Sequence, residues 1–501
     1  MKLKIGLMLL GAIALTITSC KKDFEELNTD PNNPSLDQLT PKLVFPAAVL
    51  STAGRIGGDL AIVGGFWAQY YTQGTTASQY KNVDAFNLTN TFGNTNLGVA
   101  WIELFSGALN DYHFVINKSK EQKDWNYYLM GTVMKAYTYQ VLVDLYDKVP
   151  YTEASQGAAN LEPHFDDGYT VYKGLLAEID TALSKDFNAS SNTIPGTADF
   201  VFPAAGASWS ITPWIQFANT LKLKMYLRMV YAKPAEAEAG IKKLYADGAN
   251  FLDIDASVHV YQDAADKRNP FYTYGFEQTP SDNIRASVTF LSWLQANNDP
   301  RIDNYFTKKA NSTTAYLGIN QGDFENSSLD LQGASKAIVL PTDPVDFITK
   351  AESHFLQAEA LERFFGGTGA KAQYDAGVTA AFAYYGENAA PFIATGGKYA
   401  YPSGGTFEQK LEAIITQKWA SFPKSHALEG FFERNRTGYP KTSPVYSTDP
   451  SYVPGQFVYP KEGVTNGVFA TRLIFPELET SKNSNAPPDE PLTKPVWWDV
   501  H

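Results

Sequence analysis

The chain has a single cysteine, Cys20, in 501 residues, so no disulfide can form within it. A fold of this length must then rely on the size of its core. Positive charge is also short: 41 Lys and Arg stand against 53 Asp and Glu, a net charge of −12. That balance denies the basic footprint of non-specific nucleic-acid binding and supplies no polybasic membrane patch. Histidine is scarce. His113, His164, His259, His354, His426 and His501 include no pair at the spacing of a zinc-protease HExxH helix. GGTGAK at 366–371 misses the phosphate-loop spacing and follows a helical pattern where a strand is needed. Asp253 and Asp255 leave oxygen-only calcium binding open, but without the 12-residue loop pattern. No nucleophile elbow supports a Ser-His-Asp triad. The expectation is a protein with no cofactor, no metal and no catalytic residues.

What is present starts with Lys2 and Lys4, the apolar run IGLMLLGAIALTI at 5–17, then Thr18, Ser19 and Cys20. This is the layout of an export signal, and the run is shorter than the roughly 20 residues that span a bilayer. Cleavage before Cys20 places its thiol at the mature N-terminus, ready to carry lipid such as palmitate. An ordinary secretory signal with an incidental cysteine is the alternative. The reading divides the chain into a lipoprotein signal peptide at 1–19, a lipidated N-terminus and tether at 20–40, and a single domain at 41–501. Loss of 1–19 removes two lysines and no acid, taking the net charge from −12 to −14. Asn28, Asp30, Pro31, Asn32, Asn33 and Pro34 give the tether a turn-rich, extended composition.

Beyond residue 40 strand signals are few and helical ones many. WIELFSGALNDYHFVI (101–116) puts Trp101, Leu104, Phe105, Ala108 and Tyr112 near one face. YYLMGTVMKAYTYQVLVDLYD (127–147) is apolar all round and reads as a central buried helix. TVYKGLLAEIDTALSKDF (170–187) carries Val171, Leu175, Ile179 and Leu183 at four-residue steps, and ITPWIQFANTLKLKMYLRMV (211–230) starts near Thr212 as cap with Pro213 in the first turn. FITKAESHFLQAEALERFF (347–365) forms one apolar stripe, stops at Gly366–Gly367, and is followed by a second helix from about Ala370. That is a helical hairpin of nearly tetratricopeptide length. The fold class expected is mostly α: a tetratricopeptide-like helical hairpin scaffold with long irregular loops at 54–100, 232–286, 307–345, 386–405 and 437–501. Loops of that length in a compact domain are usually functional or disordered, and their aromatics argue for order.

Several stretches resemble one family in order along the chain. CKKDFEELNTDPNNP is similar to the mature start of SusD/RagB-like outer-membrane lipoproteins. LVDLYDKVPYTEA (142–154), WIQFANTLKLKMYLRM (214–229), DPRIDNYF (299–306) and FITKAESHFLQAEALERF (347–364) resemble its internal motifs, and QKWASF (417–422), ERNRTGYP (433–440), RLIFPELE (472–479) and WWD (497–499) its late ones. Lys148 stands where Asp usually follows Gly, Asn435 where a second Arg is usual, and Phe475 where Tyr usually precedes the proline. The resemblance implies a surface-exposed, lipid-anchored protein of the outer membrane. Such a protein captures a nutrient, commonly an oligosaccharide, and hands it to a TonB-dependent SusC-like transporter without breaking a bond. Peptide or other non-sugar cargo, or a purely structural part in the transporter complex, are the competing readings.

Sugar capture needs flat aromatic faces and a few placed polar groups. GFWAQYYTQGTTASQYKN (65–82) offers Trp67, Gln69, Tyr71 and Tyr80, and NPFYTYGFEQ (269–278) offers Tyr272 and Tyr274, with Arg285 following. These seven residues are the expected ligand contacts. The competing reading puts the apolar stretch 61–71 inside the core as a helix. Glu352 and Glu359, seven apart on one helix face, read as structural ion pairs and not as a catalytic pair, which flanks its scissile bond.

Overall fold

In the computed structural model, residues 38–88, 96–278 and 282–500 are described. Cys20, the signal segment and all but the end of the tether lie outside them. The longer helices are α1 (Pro41–Ile56), α2 (Asp59–Trp67), α3 (Asn96–Glu103), α4 (Asn110–Gln122), α5 (Trp125–Tyr146), α6 (Gly168–Leu183) and α7 (Thr212–Arg228). They continue with α8 (Pro234–Ala246), α9 (Val288–Asn297), α10 (Lys350–Phe364), α11 (Ala370–Ala383), α12 (Phe407–Ala420) and α13 (Ala427–Thr437). Among the described residues, six short strands pair as antiparallel ribbons: β1 (Tyr71–Gln73) with β5 (Ile284–Ala286), β2 (Lys148–Pro150) with β3 (Phe165–Asp167), and β4 (Ala256–Val258) with β6 (Val345–Ile348). The mostly helical expectation holds.

Local chemistry accounts for the helix limits. The Asp124 carboxylate accepts the Tyr127 amide at the start of α5, and Asp147, with φ of 70°, ends it. Thr349 caps α10 by accepting the Glu352 amide at 3.0 Å. Thr406 and Gln409 form a reciprocal capping box on α12. The α10–α11 hairpin matches the sequence reading, turning through Gly366, Gly367 and Gly369, each with positive φ. Four expectations shift. Phe347 belongs to β6, not to the helix that follows. Thr212 is the first helical residue of α7 and no side chain caps that helix. The helix read at 101–116 holds a π-turn at Leu104–Leu109 between α3 and α4. All five long loops contain helical segments, and two of them hold the longer helices α2 and α8. Pro234 occupies the first turn of α8, where its missing N–H costs nothing.

One apolar core runs from Val44 to Trp498, and a smaller cluster of Leu223, Leu227, Ile241, Leu244, Leu356 and Ala360 seats α8 on α7 and α10. α2 and α13 approach so closely that a Cβ on Gly64 would lie 2.3 Å from Leu428 Cα. Inside the core lies an ionic cluster. Arg228 donates Nε to Asp144 at 3.0 Å and Nη1 to Glu433 at 2.6 Å, and it also binds Glu429. Arg436 forks onto both Glu359 oxygens at 2.7 Å. Lys224 lies 3.1 Å from Glu352 and 2.7 Å from Glu429, and His426 Nε2 is 2.7 Å from Glu352. Burial alone would raise the Glu352 carboxyl; Lys224 and His426 overcome it and hold it at about 2. Glu352 and Glu359 are thus ion-pair partners within the helical frame.

Candidate functional site

The two stretches that the sequence singles out meet through the β1–β5 ribbon, which pairs Tyr71 with Ala286, Thr72 with Arg285 and Gln73 with Ile284. Most of the seven expected contacts are consumed in making that junction. Trp67 closes α2, all of whose residues are buried, and donates Nε1–H to the Val83 carbonyl at 2.9 Å. Gln69 is buried; it donates to the Val458 carbonyl and accepts from the Val458 amide and the Thr289 hydroxyl. Tyr71 is 1% exposed and its hydroxyl accepts the Lys424 amide at 3.1 Å. Tyr80 packs on Phe66 at 5.4 Å and donates its hydroxyl to the Tyr274 carbonyl at 3.2 Å. Arg285 is 3% exposed, donating to the Ala334 and Gln332 carbonyls and pairing with Asp282 at 2.9 Å. The reason is composition: a nearly unbroken apolar run buries itself as a helix, and its polar residues then satisfy backbone groups around it.

Tyr272 and Tyr274 differ. They lie on the short helical turn Pro270–Tyr272 and the π-turn Thr273–Glu277 that continues it, both half-buried. Asn269 caps the turn by accepting the Tyr272 amide at 3.1 Å. The Tyr272 ring stacks on Phe276 at 6.1 Å and 26°, with the Arg268 guanidinium 5.9 Å from its centroid. Arg268 is held in turn by Asp263 at 2.8 Å and Glu277 at 2.5 Å. The Tyr274 ring lies over the α1–α2 junction, where a Cβ on Gly58 would come within 2.8 Å of it. Arg55 sits 5.5 Å from the same ring and grips both Glu103 oxygens at 2.5 Å, with Asp59 at 3.5 Å.

A sequence profile described as "Starch-binding associating with outer membrane", the SusD-like type, matches residues 36–460. The chain belongs to this family. Its SusD-like fold recurs in a SusD homologue from Bacteroides uniformis, with a TM-score of 0.72 at 21% identity over 91% of this chain and 99% of that one. A chitin-binding SusD homologue from Flavobacterium johnsoniae gives 0.72 at 24% identity over 91% and 98%, and a SusD homologue from Bacteroides ovatus 0.68 at 21% over 92% and 99%. At these identities the likeness is one of fold. No curated protein matches the sequence significantly.

Among the described residues of this SusD-like chain, no helix is long and apolar enough to cross a membrane. Nor does any group of three or more His, Cys, Asp or Glu there stand ready to hold a metal ion. The aromatic face gains a charged border that sequence reasoning missed: Arg55, Asp59 and Glu103. The signal was an arginine and an aspartate four apart, alone in the apolar stretch from Pro41 to Trp67 apart from Lys42. Burial pushes the Asp59 carboxyl up to about 7, only partly opposed by Arg55. Folding therefore takes up a proton at Asp59 from about pH 4 to 7, and the stability this group contributes falls as pH rises through that window. Asp59→Asn stays neutral. Relative to the unsubstituted protein, the variant is expected to gain about 2–3 kcal/mol between pH 5 and pH 8. Denaturant unfolding at both pH values checks this; a difference independent of pH would show Asp59 ionised throughout.

Proposed function

We propose that this protein is a lipid-anchored binding protein of the outer cell surface that captures an oligosaccharide and passes it to a TonB-dependent SusC-like transporter. Cys20 is the lipid-bearing residue in this reading, and Tyr272 and Tyr274 are the ligand-facing aromatics. The observation that carries it is family membership combined with a half-exposed aromatic face bordered by Arg55, Arg268 and Glu103. The chitin-binding relative supports the sugar class of cargo. Aromatic faces meet the CH-rich sides of pyranose rings, and the charged groups meet hydroxyls. Covering one ring face is worth about 1 kcal/mol, so several such contacts give an affinity that still permits release.

Calorimetric titration of the purified protein with neutral hexasaccharides tests the reading. Tyr272→Ala and Tyr274→Ala are each expected to weaken binding roughly fivefold, and the pair by more than tenfold. Saturable binding of peptides with none of any saccharide would overturn the sugar class. Lost uptake in cells after Cys20→Ser, with ligand affinity unchanged, is the expected sign that anchoring serves delivery.

A further inference from the structure

A second place in the molecule has the makings of a ligand site, and it shares no residue with the Tyr272–Tyr274 face. At 38%, Tyr384 is the most exposed Phe, Tyr or Trp among the described residues. It stands just past the end of α11, and two cavities open on either side of it. One, of about 630 Å³, runs past Asn304, Asp343, Asp346, Tyr385, Ser421 and Lys424. The other, of about 560 Å³, runs past Asp253, Lys350, His354, Ala376 and Thr379. Asp255, Ala380 and Tyr384 line both. Each volume lies in the roughly 300–1,000 Å³ range of small-molecule sites.

The groove is built, not incidental. Ala376, Ala380 and Ala383 follow one another at helical spacing, so the wall along α11 stays low. The Tyr384 hydroxyl donates to Asp346 Oδ2 at 3.1 Å, and its ring packs on Tyr385 at 4.9 Å, so the ring is oriented before any ligand arrives. Asp346 is in turn held by Ser257 at 2.5 Å across the β4–β6 ribbon. Lys424 holds a positive φ of 77°, a costly conformation for a lysine, and is fixed by the Tyr71 hydroxyl behind it and by Asp343 at 3.0 Å in front. Charge sets the class of ligand. Lys424 neutralises Asp343, and Lys308 neutralises Asp303 at the rim, at 2.6 Å. Asp255 and Asp346 have no lysine or arginine at ion-pair distance among the described residues; Asp255 accepts the Lys350 amide at 2.7 Å and Asp346 the two hydroxyls named above. A uronic or sulfated chain would bring its charge against those carboxylates.

We propose that this groove is a second saccharide site, for a linear neutral or amine-bearing chain that lies along α11 with one sugar ring on Tyr384 and further rings in the cavities on both sides. Chain length is the signature of a site with two lobes. The test uses the purified protein carrying Tyr272→Ala and Tyr274→Ala, titrated with neutral trisaccharides and hexasaccharides of glucose, N-acetylglucosamine, mannose and xylose, with a glucosamine hexamer, and with an oligogalacturonate hexamer. At least one neutral or glucosamine hexamer is expected to bind at one site, at least fivefold tighter than its trimer. The galacturonate hexamer is expected not to bind. Tyr384→Ala should weaken the hexamer at least fivefold, whereas Tyr384→Phe, which keeps the ring, should stay within twofold. Ala376→Trp fills only the second lobe and should bring the hexamer down to trimer affinity. No saturable binding by any of these saccharides, equal binding of the galacturonate chain, or a Tyr384→Phe loss as large as that of Tyr384→Ala overturns the proposal. In the otherwise unsubstituted protein, weakening by Tyr384→Ala without weakening by the Tyr272 and Tyr274 changes removes the first site and leaves this one. The converse removes this one alone.

Discussion

Arg228→Met is expected to cost about 3–5 kcal/mol of folding stability, although Met nearly matches the volume of the arginine stem. Arg228 is fully buried and serves Asp144, Glu429 and Glu433 at once, with its guanidinium 5.2 Å from the Phe432 and Trp498 rings. Removing it leaves the buried Asp144 without an ion-pair cation among the described residues, while Glu429 keeps Lys224 and Glu433 keeps Lys418 and Arg436. Burial already pushes Asp144 up to about 6 against the pull of Arg228, so this carboxylate is the first to take a proton when the cation is gone. Arg228→Lys keeps the charge, but a single ammonium does not reproduce a planar fork spread over three acids, and an intermediate loss is expected. Lys242→Met provides the contrast. Its partner Glu238 lies one helical turn away at 2.6 Å on the surface of α8, and a change within about 0.5 kcal/mol is expected. Denaturant unfolding of the three variants measures all of this. A cost below about 1 kcal/mol for Arg228→Met would show that the cluster rearranges freely and is not what fixes the helices.

Trp419→Ala is the second large effect, at about 3–5 kcal/mol. Trp419 is fully buried on α12 and stacks on Tyr70 at 5.5 Å and 24°. Its indole donates to the Ala68 carbonyl at 2.9 Å, while its own carbonyl accepts the Tyr70 hydroxyl at 2.6 Å. Phe290 adds an edge contact at 4.9 Å. Truncation therefore opens a cavity and leaves the Ala68 carbonyl without its donor. Trp419→Phe retains much of the packing and loses the bond, so about 1–2 kcal/mol is expected. Hydrogen exchange separates a local from a global effect. Faster exchange in 68–73 beyond that of the core as a whole would mark this residue as the clasp that holds the ribbon β1–β5 to α12.

The α10–α11 hairpin was legible because an apolar stripe, a double glycine and a second apolar stripe occur in immediate succession, and local signals suffice for such a unit. The central helix α5 was legible because its long run is apolar all round. The site was far less so. Trp67, Gln69 and Tyr71 have the residue types of a sugar platform, but the run that contains them is too apolar to stay at a surface. Its neighbours α13 and α12, which decide its burial, lie some 350 positions away. Tyr272 and Tyr274 kept partial exposure because Pro270 and the π-turn interrupt regular packing there. Tyr384 gave no distinctive signal: YYG reads as an ordinary helix end, and only the approach of the β6 loop and the segment before α13 makes a groove beside it.

The ionic cluster also bears on when the fold can complete itself. Asp144 accepts the Tyr172 hydroxyl at 2.6 Å, Arg228 Nε at 3.0 Å and the Trp498 indole at 2.9 Å, the last across 354 positions of chain. A chain that has emerged only to α7 holds Arg228 and Asp144 but lacks Glu429, Glu433 and the aromatic lid of Trp498. The core then contains an arginine whose other partners have not arrived, and closing around it is costly. The cluster thus acts as a completeness check. Its last contact needs the polypeptide through residue 498, so the cluster can be completed only when nearly the whole chain is available.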